Sequence, residues 1–249
     1  MLKQLEKLFR IFFPKHLPNK NIYLDALHGA KGIEIGGPSP VFTRTGLLPV
    51  YKYLRSLDGC NFSDNTVWEG KLDAGETYRY SSRKPAGLQY IAEGNDLAMI
   101  ADDTYDTVLS SHNLEHFANP VKALYEWKRI MKNGGYVLLI LPNKEKTFDH
   151  RRPVTKLQHM LDDYAAGMPE TDTTHFEEVI ALHDVEMDLG IESKEALTER
   201  TWKNTENRCV HHHVFDASLV KEMLSATGFE LLAMDLIQVN IFALARSQK

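Results

Sequence analysis

The fold turns on Lys31-Gly32-Ile33-Glu34-Ile35-Gly36-Gly37-Pro38-Ser39, a short apolar run that closes on a carboxylate and two glycines. A run of this length bounded by turn residues reads as a buried strand, and glycine at its exit lets backbone approach a ligand closely. Outward from it, further strands are predicted at 51–58, 87–93, 107–111 and 136–142. The segment before the last of these is a clear helix: Asn119-Pro120 opens it, Val121, Leu124, Trp127, Ile130 and Met131 form its apolar face, and Asn133-Gly134-Gly135 closes it. Strands alternating with amphipathic helices imply a parallel sheet with crossover helices. After Pro142 the alternation stops, and helices are predicted near 154–164, 175–189 and 194–201 in a charged, histidine-rich stretch. It returns with a helix at 216–227 and two strands, 230–238 and 240–245, spaced to pair as an antiparallel hairpin.

Composition narrows the classes. The 249 residues are 43% hydrophobic and 25% charged, enough for one large domain or a core with an insertion. A net charge of −5 argues against a nucleic-acid surface. Only Cys60 and Cys209 are present, without a CxxC pair, so a reducing compartment, the cytoplasm by default, is expected rather than a disulfide scaffold. No apolar run reaches the ~18–20 residues of a membrane span. At the N-terminus Leu2, Leu5, Phe9 and Phe12 repeat at helical spacing, with Lys3, Lys7 and Arg10 opposite, until Pro14. That helix would pack on the domain, on a second subunit of a homodimer, or on a membrane surface.

Three polar features fall at successive strand ends. Beside the Glu34 to Ser39 turn, Asp58 follows Glu34 by 24 residues, where a carboxylate can accept hydrogen bonds from ribose hydroxyls. Glu93-Gly94-Asn95-Asp96-Leu97 could reach an adenine edge. In this order Gly32-Ile33-Glu34-Ile35-Gly36-Gly37-Pro38-Ser39, Arg55-Ser56-Leu57-Asp58, Asp96-Leu97 and Val108-Leu109-Ser110-Ser111-His112-Asn113-Leu114-Glu115-His116 resemble the class I S-adenosylmethionine-dependent methyltransferases. Gly134-Gly135-Tyr136-Val137-Leu138 and the late His211 to Phe215 run are similar to the UbiE-like, type 11 branch, and the Gly-Gly-Pro-Ser turn to enzymes of bacterial surface-glycan clusters.

The resemblance implies an α/β, Rossmann-like, seven-stranded, mostly parallel sheet of order 3-2-1-4-5-7-6 with the last strand antiparallel. Residues 30–142 and 211–249 would form the cofactor core, 1–29 an amphipathic helix and linker, and 143–210 a helical insertion serving as acceptor lid. It also implies roles: Glu34 near the methionine amino group, Gly36 and Gly37 beneath the cofactor with Pro38 and Ser39 beside them, Asp58 and Gly59 at the ribose, Asn95, Asp96 and Leu97 at the adenine, and Ser110, Ser111 and His112 along the methionine. Pro38 and Pro40 stand where two further glycines would be expected. A pyrophosphate needs N–H groups that proline lacks, so a nicotinamide-dependent oxidoreductase is disfavoured, whereas S-adenosylmethionine has no phosphate.

A hydroxyl acceptor wants a general base or a metal, and histidine suits neutral pH. His112, at the exit of the fourth strand, is the first candidate; His150 and His175 are others among the 11 histidines, and His116 reads as a structural hydrogen-bonding residue. Arg151 and Arg152, with His211 and His212, would bind the acceptor, the arginines clamping an anionic group. A divalent metal is compatible with the histidine groups, although no spacing fixes its ligands. The expectation is methyl transfer to a small polar acceptor, a hydroxyl of a sugar, nucleotide sugar or glycan precursor first, with N- or carboxyl-methylation of another metabolite, or a non-catalytic cofactor-binding subunit, as alternatives.

Overall fold

The structure, a computed structural model, describes residues 17–249; the helix expected at 2–13 lies outside them. Ten strands form among the described residues, β1 (Lys31–Ile35), β2 (Ser56–Asn61), β3 (Asn65–Thr66), β4 (Gly70–Lys71), β5 (Gly75–Tyr78), β6 (Gly87–Ile91), β7 (Tyr105–Ser111), β8 (Met131–Pro142), β9 (Phe229–Ile237) and β10 (Asn240–Ser247). The helices are α1 (Lys20–Leu27), α2 (Pro120–Ile130), α3 (Leu157–Ala166), α4 (Phe176–Leu182), α5 (Lys194–Trp202), α6 (Asn204–Asn207) and α7 (Ala217–Ala226).

Eight strands share one sheet in the order β5-β6-β2-β1-β7-β8-β10-β9. The expected seven-stranded sheet is therefore corrected: β5 adds antiparallel to the outer edge of β6, and the order changes accordingly. Four contacts are parallel, β1 with β2 and β7, β2 with β6, and β7 with β8, while β10 runs antiparallel to both β8 and β9. Buried on both faces, the central strands read as unbroken apolar runs. In β8, Val137, Leu139 and Leu141 face the core under α2 and α7, while Leu138 and Ile140 face the core that holds Tyr23 and Leu27 of α1.

Local chemistry explains the boundaries. Asn119 accepts from the Lys122 N–H and Pro120 occupies the first turn, starting α2 where expected. The helix ends earlier than expected, because residues 132–135 form an irregular entry to β8, whose pairing with β7 jumps from Tyr105↔Met131 to Thr107↔Tyr136. The strand expected at 51–58 is instead a 3-10 turn at Val50–Lys52 followed by β2, which runs three residues past Asp58. Residues 17–29, expected as linker, include α1, which buries Tyr23, Leu24 and Leu27. Between 143 and 210, α4, α5 and Val210 share a small core of Phe176, Val179, Leu197 and Val210. No described helix is long and apolar enough to cross a membrane.

Candidate active site

A cleft of about 1000 Å³ opens at the carboxyl ends of β1, β2, β6 and β7, the crevice where open α/β sheets bind ligands. Its floor is the turn after β1. Gly36 has φ +79°, and a Cβ there would stand 2.6 Å from Asn113, so glycine is required by both conformation and space. A Cβ on Gly37 would strike the Glu34 carboxyl and the Tyr78 hydroxyl. Pro38 and Ser39 line the cleft with Gly36.

Glu34 lies beneath this floor, not in the cleft. Fully buried, it accepts hydrogen bonds from the Ser39 N–H (3.0 Å), the Tyr51 hydroxyl (2.7 Å) and the Tyr78 hydroxyl (2.6 Å). Burial pushes its pKa up, and these donors only partly oppose the rise. The expected contact with a methionine amino group is thus replaced by a turn-holding role. The Gly36 N–H is used by the Cys60 carbonyl and the Ser39 N–H by Glu34 and Tyr51, while Pro38 and Pro40 have none, so Gly37 supplies the remaining N–H.

The ribose and adenine assignments need correction as well. Register sets Ile33 opposite Asp58 and Ile35 opposite Cys60, so Asp58 sits mid-strand. Its carboxylate accepts from the Leu88 N–H and the Tyr105 hydroxyl, both at 2.8 Å, tying β2 to β6 and β7. Gly59 packs against the ring of Tyr78. The residue that reaches the cleft from β2 is Asn61, which donates to the Gly37 carbonyl (3.2 Å) and accepts from Gln89 (3.0 Å). Asn95 is buried and donates to Glu170 (2.5 Å), Asp96 is exposed, and Leu97 belongs to the core, its N–H on Glu126. Glu93 and Gly94 line the cleft instead, with Gly94 fixed by the Trp127 indole N–H at 2.7 Å.

After β7, Ser111, His112, Asn113 and His116 face the cleft, while the Ser110 hydroxyl is buried behind them without a partner. His112 adopts φ +49°. Its Nε2 lies 2.7 Å from the Asn240 Oδ1 and its Nδ1 3.5 Å from the wholly buried Glu115 carboxylate. Burial opposes its charge, but Glu115 and Asn240 prevail and raise its pKa. His116 is shifted in the opposite direction. Burial, aided by the neighbouring His211, pushes it down to about 4, against the pull of Glu115. Its Nδ1 stands 3.1 Å from the Val210 carbonyl, which fixes the proton on Nδ1 and the lone pair on Nε2. The indole of Trp68 lies 5.4 Å from its ring on one side and the His211 ring 4.7 Å on another.

The remaining candidates do not enter the cleft. His150 and Arg151 share the Asp184 carboxylate, at 2.8 and 2.7 Å, beside a separate hollow of about 230 Å³. Arg152 is 1% exposed and bonds Asp149, Glu178 and the carbonyls of His211 and His212. It joins segments of the fold and clamps no acceptor. His211 pairs with Asp149 at 2.5 Å, one ring behind His116. His212 is wholly buried beside Asn204, and burial with nearby His and Arg charges brings it to about 3. His175 faces His159 at 3.0 Å. From the stretch 143–210 only Glu170 and Arg208 line the cleft; most of its outer wall is the excursion from Phe62 to Arg79, including Thr66, Trp68 and Lys71. Two groups among the described residues could hold a metal: Glu115, His116 and His211, and His159, Asp163, His175 and His213.

Residues 55–139 match a family model described as a methyltransferase domain. No curated protein matches the chain. Among solved structures, an S-adenosylmethionine-dependent methyltransferase from Mesorhizobium loti has a TM-score of 0.54 at 12% identity, over 92% of this chain and 96% of that one. One from Methanosarcina mazei has a TM-score of 0.50 at 12% identity, over 94% and 99%.

Proposed function

We propose that the chain is a class I S-adenosylmethionine-dependent methyltransferase, a reading supported by the methyltransferase-domain match over residues 55–139 and by the shared fold, and that it methylates a hydroxyl of a sugar, nucleotide sugar or glycan precursor. The residues of the cleft fit the cofactor. Neither Gly36 nor Gly37 has room for a Cβ in the turn that forms the floor, and the Asn113 Nδ2, buried at that floor without a partner, is an orphaned donor. Together with the Gly37 N–H it is suited to the methionine carboxylate, while Asn61 and Glu93 offer polar groups on the ribose and adenine side. When bound, the cofactor supplies an electrophilic methyl on a sulfonium.

The protein's own contribution is to orient the acceptor and take its proton. His116 takes the proton. With a pKa of about 4 and Nδ1 committed to the Val210 carbonyl, it is neutral at physiological pH and presents its lone pair on Nε2. His112 has its Nε2 on Asn240 and its Nδ1 facing Glu115, so both ring nitrogens are occupied within the protein. Trp68, 54% exposed beside His116, offers an aromatic face of the kind that packs against the C–H face of a sugar, and Lys71, Asp73, Glu76 and Arg79 add polar groups along that wall. The single observation behind this proposal is the neutral, tautomer-fixed His116 against the exposed Trp68.

The test is methyl transfer to a panel of nucleotide sugars, monosaccharides, amines and carboxylic acids. Turnover confined to the sugars, lost in Trp68→Ala while S-adenosylhomocysteine still binds, is expected; turnover confined to amines or carboxylates would overturn the acceptor class. A second reading rests on Glu115, whose Oε2 is wholly buried without a donor. A divalent ion held by Glu115, His116 and His211 would lower the acceptor hydroxyl's pKa instead. Activity lost to a chelator and restored by a divalent ion would select that reading over the metal-free base.

A further inference from the structure

We propose that His159, Asp163, His175 and His213 form a closed structural site for one divalent transition-metal ion of the zinc type, separate from the cofactor cleft. The sequence places His159 and Asp163 one turn apart on α3, His175 immediately before α4, and His213 in the extended stretch that leads to α7. Side chains at i and i+4 share a helix face, so the first two present ligands together.

The distances match a tetrahedral cage. His159 Nε2 lies 3.0 Å from His175 Nε2 and 3.3 Å from Asp163 Oδ2, and Asp163 Oδ2 lies 3.9 Å from His213 Nε2. All four ligand atoms fall within 4.8 Å of one another. Around an ion with bonds of about 2.0–2.1 Å, adjacent tetrahedral ligands are separated by about 3.3–3.4 Å. Three of the separations lie within about half an ångström of that value, and the wider ones, up to 4.8 Å, close on a central ion by side-chain rotation.

The polar accounting points the same way. Asp163 is 5% exposed, yet its Oδ2 has no hydrogen-bond partner. A buried carboxylate oxygen without a donor is costly, and a cation removes that cost. His213 is wholly buried with its Nδ1 unpartnered, and its Nε2 rests 3.2 Å from the Ala118 carbonyl, a contact it would exchange for the ion. The His159 side chain, 43% exposed, leaves an entry path. Three imidazoles and a carboxylate suit zinc, and a set complete in protein ligands with no open position marks a structural rather than a catalytic centre.

Such an ion would tie α3, the start of α4 and the stretch before α7 together. The connection between α3 and α4 carries Glu170, which holds Asn95 (2.5 Å) and the Ala118 N–H (3.2 Å) at the edge of the cleft. The four ligands are positioning residues for that edge and act on no reacting atom.

The experiment uses the full chain, stripped with chelator and dialysed, then titrated with Zn²⁺ and with Co²⁺. Metal per chain is measured by plasma mass spectrometry, geometry by the visible absorption of the Co²⁺ form, and stability by the thermal midpoint. One ion per chain that survives in His116→Ala, an intense tetrahedral Co²⁺ spectrum and a rise of several degrees in midpoint are expected. His159→Ala and His175→Ala, at partly exposed positions that should still fold, should each weaken binding at least 10-fold and abolish the tetrahedral spectrum. Absence of stoichiometric binding, an octahedral spectrum, or affinity unchanged in His159→Ala would overturn the proposal. So would loss of the ion in His116→Ala alone, which would assign it to the cleft group.

Discussion

Assigning the base to His116 makes the acid limb of the rate profile diagnostic. An ordinary histidine is about a quarter neutral at pH 6, whereas one pushed down to about 4 is about 99% neutral there. The sign is fixed: a group that must be deprotonated loses competence as pH falls through its pKa. kcat at saturating S-adenosylmethionine and acceptor should therefore stay level from pH 8 to about 5 and fall to half near pH 4. If His112 were the base, its raised pKa would bring the fall above the ordinary histidine value of 6.5. S-adenosylhomocysteine release reports the rate, with near-ultraviolet circular dichroism at each pH confirming that the fold persists. His116→Asn should lower kcat by about 10²–10⁴ with S-adenosylhomocysteine affinity retained. An acid limb at or above pH 6.5, or a kcat in His116→Asn within about threefold of the parent, would refute the assignment.

Further expectations concern the supporting structure. Tyr78→Phe leaves the buried Glu34 carboxylate with one hydroxyl donor fewer, so urea denaturation should show a loss of about 1–3 kcal/mol, and calorimetry weaker S-adenosylhomocysteine binding. Asp58→Ala strands the Leu88 N–H and the Tyr105 hydroxyl and should cost about 1–3 kcal/mol while leaving S-adenosylhomocysteine affinity unchanged, whereas Asn61→Ala should weaken that affinity; the reverse pattern in calorimetry would restore Asp58 to the ribose. Arg152→Leu leaves Asp149 and three other acceptors without their cation and should destabilise by about 3–5 kcal/mol, with acceptor KM unaffected in whatever remains folded. Stability in chelator should fall as pH drops from 6.5 toward 3, because unfolding lets His212 take up a proton that the fold denies it. At pH 5 this one group costs about 2 kcal/mol, and a urea midpoint equal at pH 7 and pH 5 would contradict it.

How much the sequence reveals depends on what sets each position. The alternation from Lys31 to Pro142 is legible because buried parallel strands and the α2 stripe are written as periodic apolar patterns, and Asn119-Pro120 marks a helix start by local chemistry alone. Asp58 is misplaced by a matter of register. The stretch from Tyr51 reads as strand, yet Val50–Lys52 forms a 3-10 turn, and the true strand runs on to Asn61, three residues past Asp58. A three-residue shift exchanges the faces of a strand, turning an expected cofactor contact into a cross-sheet tie and bringing Asn61 to the cleft in its place. The extra edge strand β5 escapes a sequence reading because it lies among polar two- and four-residue strands with no periodicity.

The site shows the same division more sharply. Nothing local separates His112 from His116, four residues apart. Their pKa values are pushed in opposite directions by what the fold sets around each ring: Glu115 and Asn240 raise His112, whereas burial and the sequence-distant His211 lower His116. Likewise the surplus length at 143–210 suggests a lid, yet it gives the cleft only Glu170 and Arg208, because its apolar residues are spent on its own small core and, through Met160, Leu157 and Leu161, on the main core. The excursion from 62 to 74 adds no buried apolar side chain to either core, unlike Gly75–Tyr78, which pairs with β6 as β5 and buries Tyr78, so it can vary with little disturbance to the sheet. If acceptor choice resides there, exchanging residues 62–74 should change which acceptors are methylated while S-adenosylhomocysteine still binds through the β1 turn. An exchange of 143–210 should mainly alter stability. Acceptor preference that follows 143–210 would reverse that assignment.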